Sequence, residues 1–151
     1  MTRMLIAIFS MLLAGPVAAR DGAPRIDEIV WYNIDSYCSF TRADHRFDYN
    51  DPESWRWVLF TNFPAEDGAD PIESPFMRID GQLKQLAQTG IRSLDGGVVR
   101  SYQSHDANPY LVEVSLLEGE RGIESSAFSG VITVSRNGAS SEIAYKGDCG
   151  A

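Results

Sequence analysis

Cysteine and histidine are scarce in this chain, with two of each among 151 residues. Cys38 and Cys149 stand 111 positions apart, so the closely spaced ligand pairs of a structural zinc site are missing. No metal and no cofactor is expected. His45 and His105 each neighbour an aspartate, Asp44 and Asp106. No Gly-x-Ser-x-Gly elbow accompanies them to supply a nucleophile. Dinucleotide, phosphate-loop and His-Glu-x-x-His patterns are also missing. No catalytic residue is therefore assigned from sequence.

Basic residues are few as well: 13 Lys and Arg against 21 Asp and Glu. A negative surface repels nucleic acid and anionic lipid headgroups, which makes both poor partners, and favours cationic ones. No apolar run is long enough to span a bilayer, which takes about 20 residues. The longest, Met4 to Leu13, is interrupted by Ser10. It follows Arg3 and precedes Gly15-Pro16 and the small residues Val17-Ala18-Ala19. That layout predicts a secretory signal peptide over residues 1–19, cleaved near Ala19. The exported chain would carry 12 basic and 21 acidic side chains, a net charge of −9, since the leader removes only Arg3. The expected location is the periplasm or the outside of the cell. In such an oxidising compartment, Cys38 and Cys149 are expected to form a disulfide that ties down the end of the chain.

Long amphipathic helices, internal repeats and low-complexity stretches are missing too. What is present is a series of short strand patterns separated by turn signals. After a polar segment expected to lack fixed structure (residues 20–25), one domain is predicted over 26–151. "IDEIVWYNI" reads as the first strand. In "SWRWVLFTNF", strict alternation would place Trp55, Trp57 and Leu59 on one face and Arg56, Val58 and Phe60 on the other. Asp80-Gly81 signals a two-residue hairpin turn. The run from Leu83 reads as a strand, with the start of a short helix as the alternative over residues 83–88. Leu94-Asp95-Gly96-Gly97 and His105 to Pro109 mark further turns, and Val112, Val114 and Leu116 share a face. In the last unit, Asn137-Gly138 as a two-residue loop pairs Arg136 with Ala139 and Ile132 with Ile143. Ile132, Val134, Ile143 and Tyr145 then lie on one side, with Thr133, Ser135, Ser140 and Glu142 on the other. Seven to eight such strands predict an all-β fold, an antiparallel sandwich or a small barrel.

Two irregular segments are candidate functional loops, about Thr41–Ser54 and residues 64–75. Eight carboxylates lie between Asp44 and Glu73, against two arginines. Asp48, Asn50, Asp51 and Glu53 carry oxygen donors, but Pro52 stands where a calcium loop needs a ligand. Ten of the sixteen aromatic residues lie between Trp31 and Phe63. Trp55 and Trp57 read either as core or as a stacking platform for sugar rings. The candidate binding residues are Asp44, Asp48, Asp51, Glu53, Trp55, Trp57, Glu66, Asp67 and Asp70.

"FMRIDGQLKQL", "SGVITVSRNG" and the terminal "GDCG" resemble small exported bacterial proteins of unknown function that end in Gly-x-Cys-Gly. The resemblance implies an early cysteine and a middle Asp-Gly hairpin, but no activity. By class alone the chain is similar to the periplasmic inhibitors of C-type lysozyme, small exported β-barrels with a disulfide and strongly basic targets. Ser129-Gly130 and Tyr145-Lys146-Gly147 depart from the spacing of their inhibitory loops. The expected function is a non-enzymatic binding module for a cationic protein or an envelope glycan. The rivals are a hydrolase using loop carboxylates or His105, and a purely structural envelope protein.

Overall fold

The computed structural model describes residues 22–64 and 66–150. The leader expected over residues 1–19 and its cleavage point lie outside the described residues. The strands are β1 (Ile26–Asp27), β2 (Ile29–Val30), β3 (Cys38–Arg42), β4 (Arg56–Trp57), β5 (Leu59–Thr61) and β6 (Phe76–Ile79). The longer ones follow: β7 (Gln82–Leu94), β8 (Gly97–Ser104), β9 (Leu111–Arg121), β10 (Ser125–Arg136) and β11 (Ala139–Gly150).

Of the two all-β architectures expected, the chain adopts the barrel. Strands β6-β5-β3-β11-β10-β9-β8-β7 pair in that order, all antiparallel, and β7 returns to β6 to close the ring. The ninth strand of the sheet, β1, pairs with the far end of β6. β2 and β4 form a separate two-stranded sheet.

The local turn chemistry explains the long hairpins. Asp80 and Gly81 both take positive φ (50° and 80°), as do Asn137 and Gly138 (53° and 78°). Two such residues make the turn whose twist matches the flanking strands. Ile79 therefore faces Gln82, and Arg136 faces Ala139 with Ile132 opposite Ile143, as the sequence pattern requires. Residues 83–88 are strand, because the Asp80-Gly81 hairpin commits them to pair with β6 and then with β8.

An eight-stranded barrel has an interior that side chains just fill. Here Phe40, Tyr102, Tyr145, Met77, Ile79, Leu86, Val112, Val114, Ile132 and Val134 are buried within it. Phe40 and Tyr145 stack at 4.6 Å between ring centres. Each lies opposite a glycine on the neighbouring strand: Phe40 faces Gly147, and Tyr145 faces Gly130. A Cβ on Gly147 would strike Ser39 O and the Phe40 ring, and one on Gly130 would strike Ser115 O. The glycines provide the space that the two rings fill, and Tyr145 also donates its hydroxyl to Ser115 O at 2.6 Å. Burial pushes the Tyr145 hydroxyl pKa well above its usual value.

Two sequence expectations are corrected. "IDEIVWYNI" is not one strand: β1 and β2 are separated at Glu28, and the chain turns at Tyr32-Asn33, where Asn33 has φ 56°. Just before it, Arg25 O accepts from Asp80 N, Arg25 N donates to Asp80 Oδ1, and Pro24 is buried. Strict alternation also fails in "SWRWVLFTNF". The chain bends at Val58, whose N–H bonds Phe40 O. Consecutive Val58 and Leu59 consequently both enter the barrel core, while Trp55, Trp57 and Phe60 pack together in a second cluster with Ile29.

Cys38 and Cys149 are direct cross-strand partners on β3 and β11 and form the disulfide. For a closed loop of roughly 100 residues, the chain-entropy model gives about 4.7 kcal/mol of stabilisation. Cys38→Ala/Cys149→Ala is expected to lose about 2–5 kcal/mol in urea unfolding relative to the oxidised protein, with the strand content by circular dichroism retained in the absence of urea.

Candidate binding surface

The second cluster lies against the barrel beside β3 and β5. Its centre is Trp55, 6% exposed, with Trp57 at 5%. Neither tryptophan is an open stacking platform, because other rings cover them. Phe47, Tyr32 and Tyr49 lie 5.2, 5.2 and 5.5 Å from Trp55, and Phe47 lies 5.6 Å from Trp57. The indole N–H groups are satisfied by backbone carbonyls, Trp55 Nε1 by Tyr49 O and Trp57 Nε1 by Trp31 O. The covering rings are themselves open to water: Tyr49 is 66% exposed, Tyr32 56% and Phe47 43%.

The Thr41–Ser54 segment that carries Phe47 and Tyr49 is tied together by its own polar groups. Asp48 Oδ1 accepts from Asn50 N, and Asp51 Oδ1 accepts from Glu53 N to cap a single 3-10 turn at Pro52–Ser54. The buried Ser54 hydroxyl accepts from Asp48 N. His45 Nε2 lies 2.7 Å from Ser54 O. Asp44, Asp48, Asp51 and Glu53 are exposed around these rings. The expected site residues of this segment thus come together, with the carboxylates outside and the tryptophans beneath. Sequence reasoning missed Tyr32, Phe47 and Tyr49, the solvent-reaching rings that pack on Trp55. The readable signal was two aromatic residues among charged ones in a loop.

The other acidic loop does something different. Glu66 and Asp67 are exposed, and no hydrogen bond or ion pair joins them to Asp44–Glu53 among the described residues. Asp70 turns to the barrel instead. It pairs with Arg100, a β8 residue that also bonds Gln88 Oε1 at 2.8 Å, and it accepts from Ile72 N at 3.0 Å. The Ile72 carbonyl accepts from the core residue Tyr102, and Gln88 N donates to Glu73 O. The stretch from Asp70 to Glu73 therefore plugs one end of the barrel. Burial alone would raise the Asp70 carboxyl. The Arg100 hydrogen bond and charge, with the Ile72 N–H, outweigh it and hold Asp70 below the usual carboxylate range.

Beside the aromatic cluster runs a groove of about 420 Å³, with Phe47 and Trp57 as its wall and Ser39, Thr41, Ser129, Lys146 and Asp148 among its lining. Among the described residues, no cluster of three or more His, Cys, Asp or Glu could hold a metal ion. Neither histidine hydrogen-bonds a serine hydroxyl there; the Ser104 hydroxyl donates to Asp106. No described helix is long and apolar enough to cross a membrane.

Because the native Asp70 value is lowered, the stabilisation from its pairing is complete above pH about 4, where an unfolded aspartate is also ionised, and is lost as pH falls through the native value. Asp70→Asn is expected to cost about 1–3 kcal/mol at pH 7, between an exposed and a buried pair. The variant should also show a shallower loss of stability than the parent between pH 4 and pH 2. Urea unfolding across that range checks both.

No family model, no curated protein and no solved structure matches this chain.

Proposed function

We propose that this is a non-enzymatic binding module of the cell envelope that recognises a cationic protein surface. The observation that carries the reading is the exposed ring set Tyr32, Phe47 and Tyr49 over buried Trp55, surrounded by Asp44, Asp48, Asp51 and Glu53. Monomeric proteins keep large aromatic patches covered unless the patch has a use. Tyrosine and tryptophan concentrate where interfaces hold most of their binding energy. Rings offer faces to lysine and arginine, and carboxylates at the rim speed the approach of a basic partner. The net charge of −8 acts in the same direction over longer range. A packed barrel suits this role, since it holds an exterior surface rigid. The disulfide is compatible with an exported chain, and export remains part of the proposal.

A second reading, an envelope glycan, is favoured by the groove at Phe47 and Trp57. A sugar ring stacked on Phe47 would meet the hydroxyls of Ser39, Thr41 and Ser129 and the charges of Lys146 and Asp148.

The test uses the oxidised protein against immobilised basic proteins, C-type lysozymes included, and against soluble envelope glycans. Asp44→Asn/Asp48→Asn/Asp51→Asn/Glu53→Gln removes charge and keeps the oxygens that cap the loop. This variant is expected to bind the basic partner about tenfold or more weakly at low salt and to leave unfolding within about 0.5 kcal/mol. Tyr49→Ala should weaken capture at every salt concentration. Capture by the neutralised variant at parental affinity would refute recognition through this surface. Binding of a glycan in its place, lost in Phe47→Ala, would select the second reading.

A further inference from the structure

The groove beside Phe47 and Trp57 lies on the outer face of the barrel, and the strand registers set out its floor. Ser39, Thr41, Lys146 and Asp148 alternate along their strands with Phe40, Tyr145 and Cys149, which are buried on the inner side. Lys146 on β11 stands between Thr41 on β3 and Ser129 on β10. In the next row, Asp148 stands between Ser39 and Ala127, and Gly119 of β9 abuts Ala127. Gly119 and Ala127 keep the floor low, while Phe47 and Trp57 form the wall. The volume of about 420 Å³ falls within that of small-molecule sites, about 300–1,000 Å³.

The polar groups narrow the ligand chemistry. Lys146 and Asp148 are both exposed, and neither has an ion-pair partner among the described residues. Residues two apart on a strand project from the same face about 7 Å apart. The groove therefore presents one cation and one anion side by side, next to an aromatic wall. A ligand of single charge meets one of them and is repelled by the other, whereas a ligand with both charges can meet both. The Thr41 hydroxyl is turned to Arg42 O and Lys146 O, but the Ser39 and Ser129 hydroxyls bond nothing among the described residues. From Tyr145 to Cys149, β11 at the centre of the floor is paired with β3 on one side and β10 on the other. The floor thus offers hydroxyls and charges, with no open strand edge to which a peptide could add.

From these observations we infer that the groove binds a zwitterionic amino sugar, a hexose ring that carries both an ammonium and a carboxylate. The ring lies against Phe47, its carboxylate meets Lys146, its ammonium meets Asp148, and its hydroxyls bond Ser39 and Ser129. The inference rests on the glycan reading of this groove and names the class of glycan.

The experiment titrates muramic acid, glucosamine, glucuronate and glucose into the oxidised, nitrogen-15-labelled protein at about pH 6, where amine and carboxylate are both charged. It follows the backbone amides of Ser129, Lys146, Gly147 and Asp148. Muramic acid is expected to shift these amides and to bind about threefold or more tightly than each of the other sugars, the size of one exposed charge contact. Lys146→Met should erase its preference over glucosamine, and Asp148→Asn its preference over glucuronate. Both side chains are exposed, so the fold should persist in each variant. Muramic acid bound no more tightly than glucose, with every sugar weakened in Phe47→Ala, would overturn the inference and leave the glycan reading standing. Equal weakening of all four sugars in Lys146→Met and in Asp148→Asn would overturn it as well. Failure of every sugar to shift these amides would overturn both.

Discussion

Closing eight strands into a ring leaves a fixed interior volume, and in this protein the Phe40–Tyr145 stack is what fills its middle. The stack exists because Gly147 and Gly130 stand opposite the two rings, and any Cβ at either position would meet backbone. Glycine costs a strand both entropy and packing, so two glycines in β10 and β11 would be a defect in isolation. With an aromatic ring lying over each, they become the point where three consecutive strands, β3, β11 and β10, are drawn together. The Cys38–Cys149 bridge joins β3 to β11 near the same end, so covalent and packing constraints reinforce one seam.

With the middle of the barrel occupied, polar chemistry is confined to its ends. At one end Arg100 meets Asp70 and Gln88 under the plug. At the other, Arg136 lies 4.4 Å from the centre of the Tyr110 ring, and Tyr110 donates to Asp80. Lys84 and Ser104 meet at Asp106 in the same region, and the Lys84 hydrogen bond holds the Asp106 carboxyl below its usual range. These networks pair the charges of groups that strand alternation points inward where the apolar core gives out. They also explain why the two acidic loops differ: one supplies a counter-charge to the barrel, and the other keeps its carboxylates for solvent or a partner.

The aromatic surface follows from one backbone irregularity. Had alternation continued through Val58, Trp57 and Leu59 would share a face, and the tryptophans would compete for space inside the barrel. The bend at Val58 sends Val58 and Leu59 inward and leaves Trp55, Trp57 and Phe60 outside, where β2 and the Thr41–Ser54 segment must cover them. That cover is incomplete, and its edge is Tyr32, Phe47 and Tyr49.

The sequence by itself determined the hairpins and their registers. Asp80-Gly81 and Asn137-Gly138 act within four residues, and period-two alternation assigns faces without reference to the rest of the chain. It also identified the cysteine pair, since two thiols leave a single possible bridge. The acidic loop at Asp44–Glu53 was legible as composition, and its exposed carboxylates are where that reading placed them. Tertiary structure decided the rest. Closure into a barrel depends on β11 meeting β3, strands whose paired residues Cys38 and Cys149 stand 111 positions apart, which no local pattern encodes. Asp70 was grouped with the other loop acids because its partner, Arg100, is 30 residues away in sequence. Which rings face water depends on the bend at Val58, a position where bonding to Phe40 overrides the local preference for a straight strand.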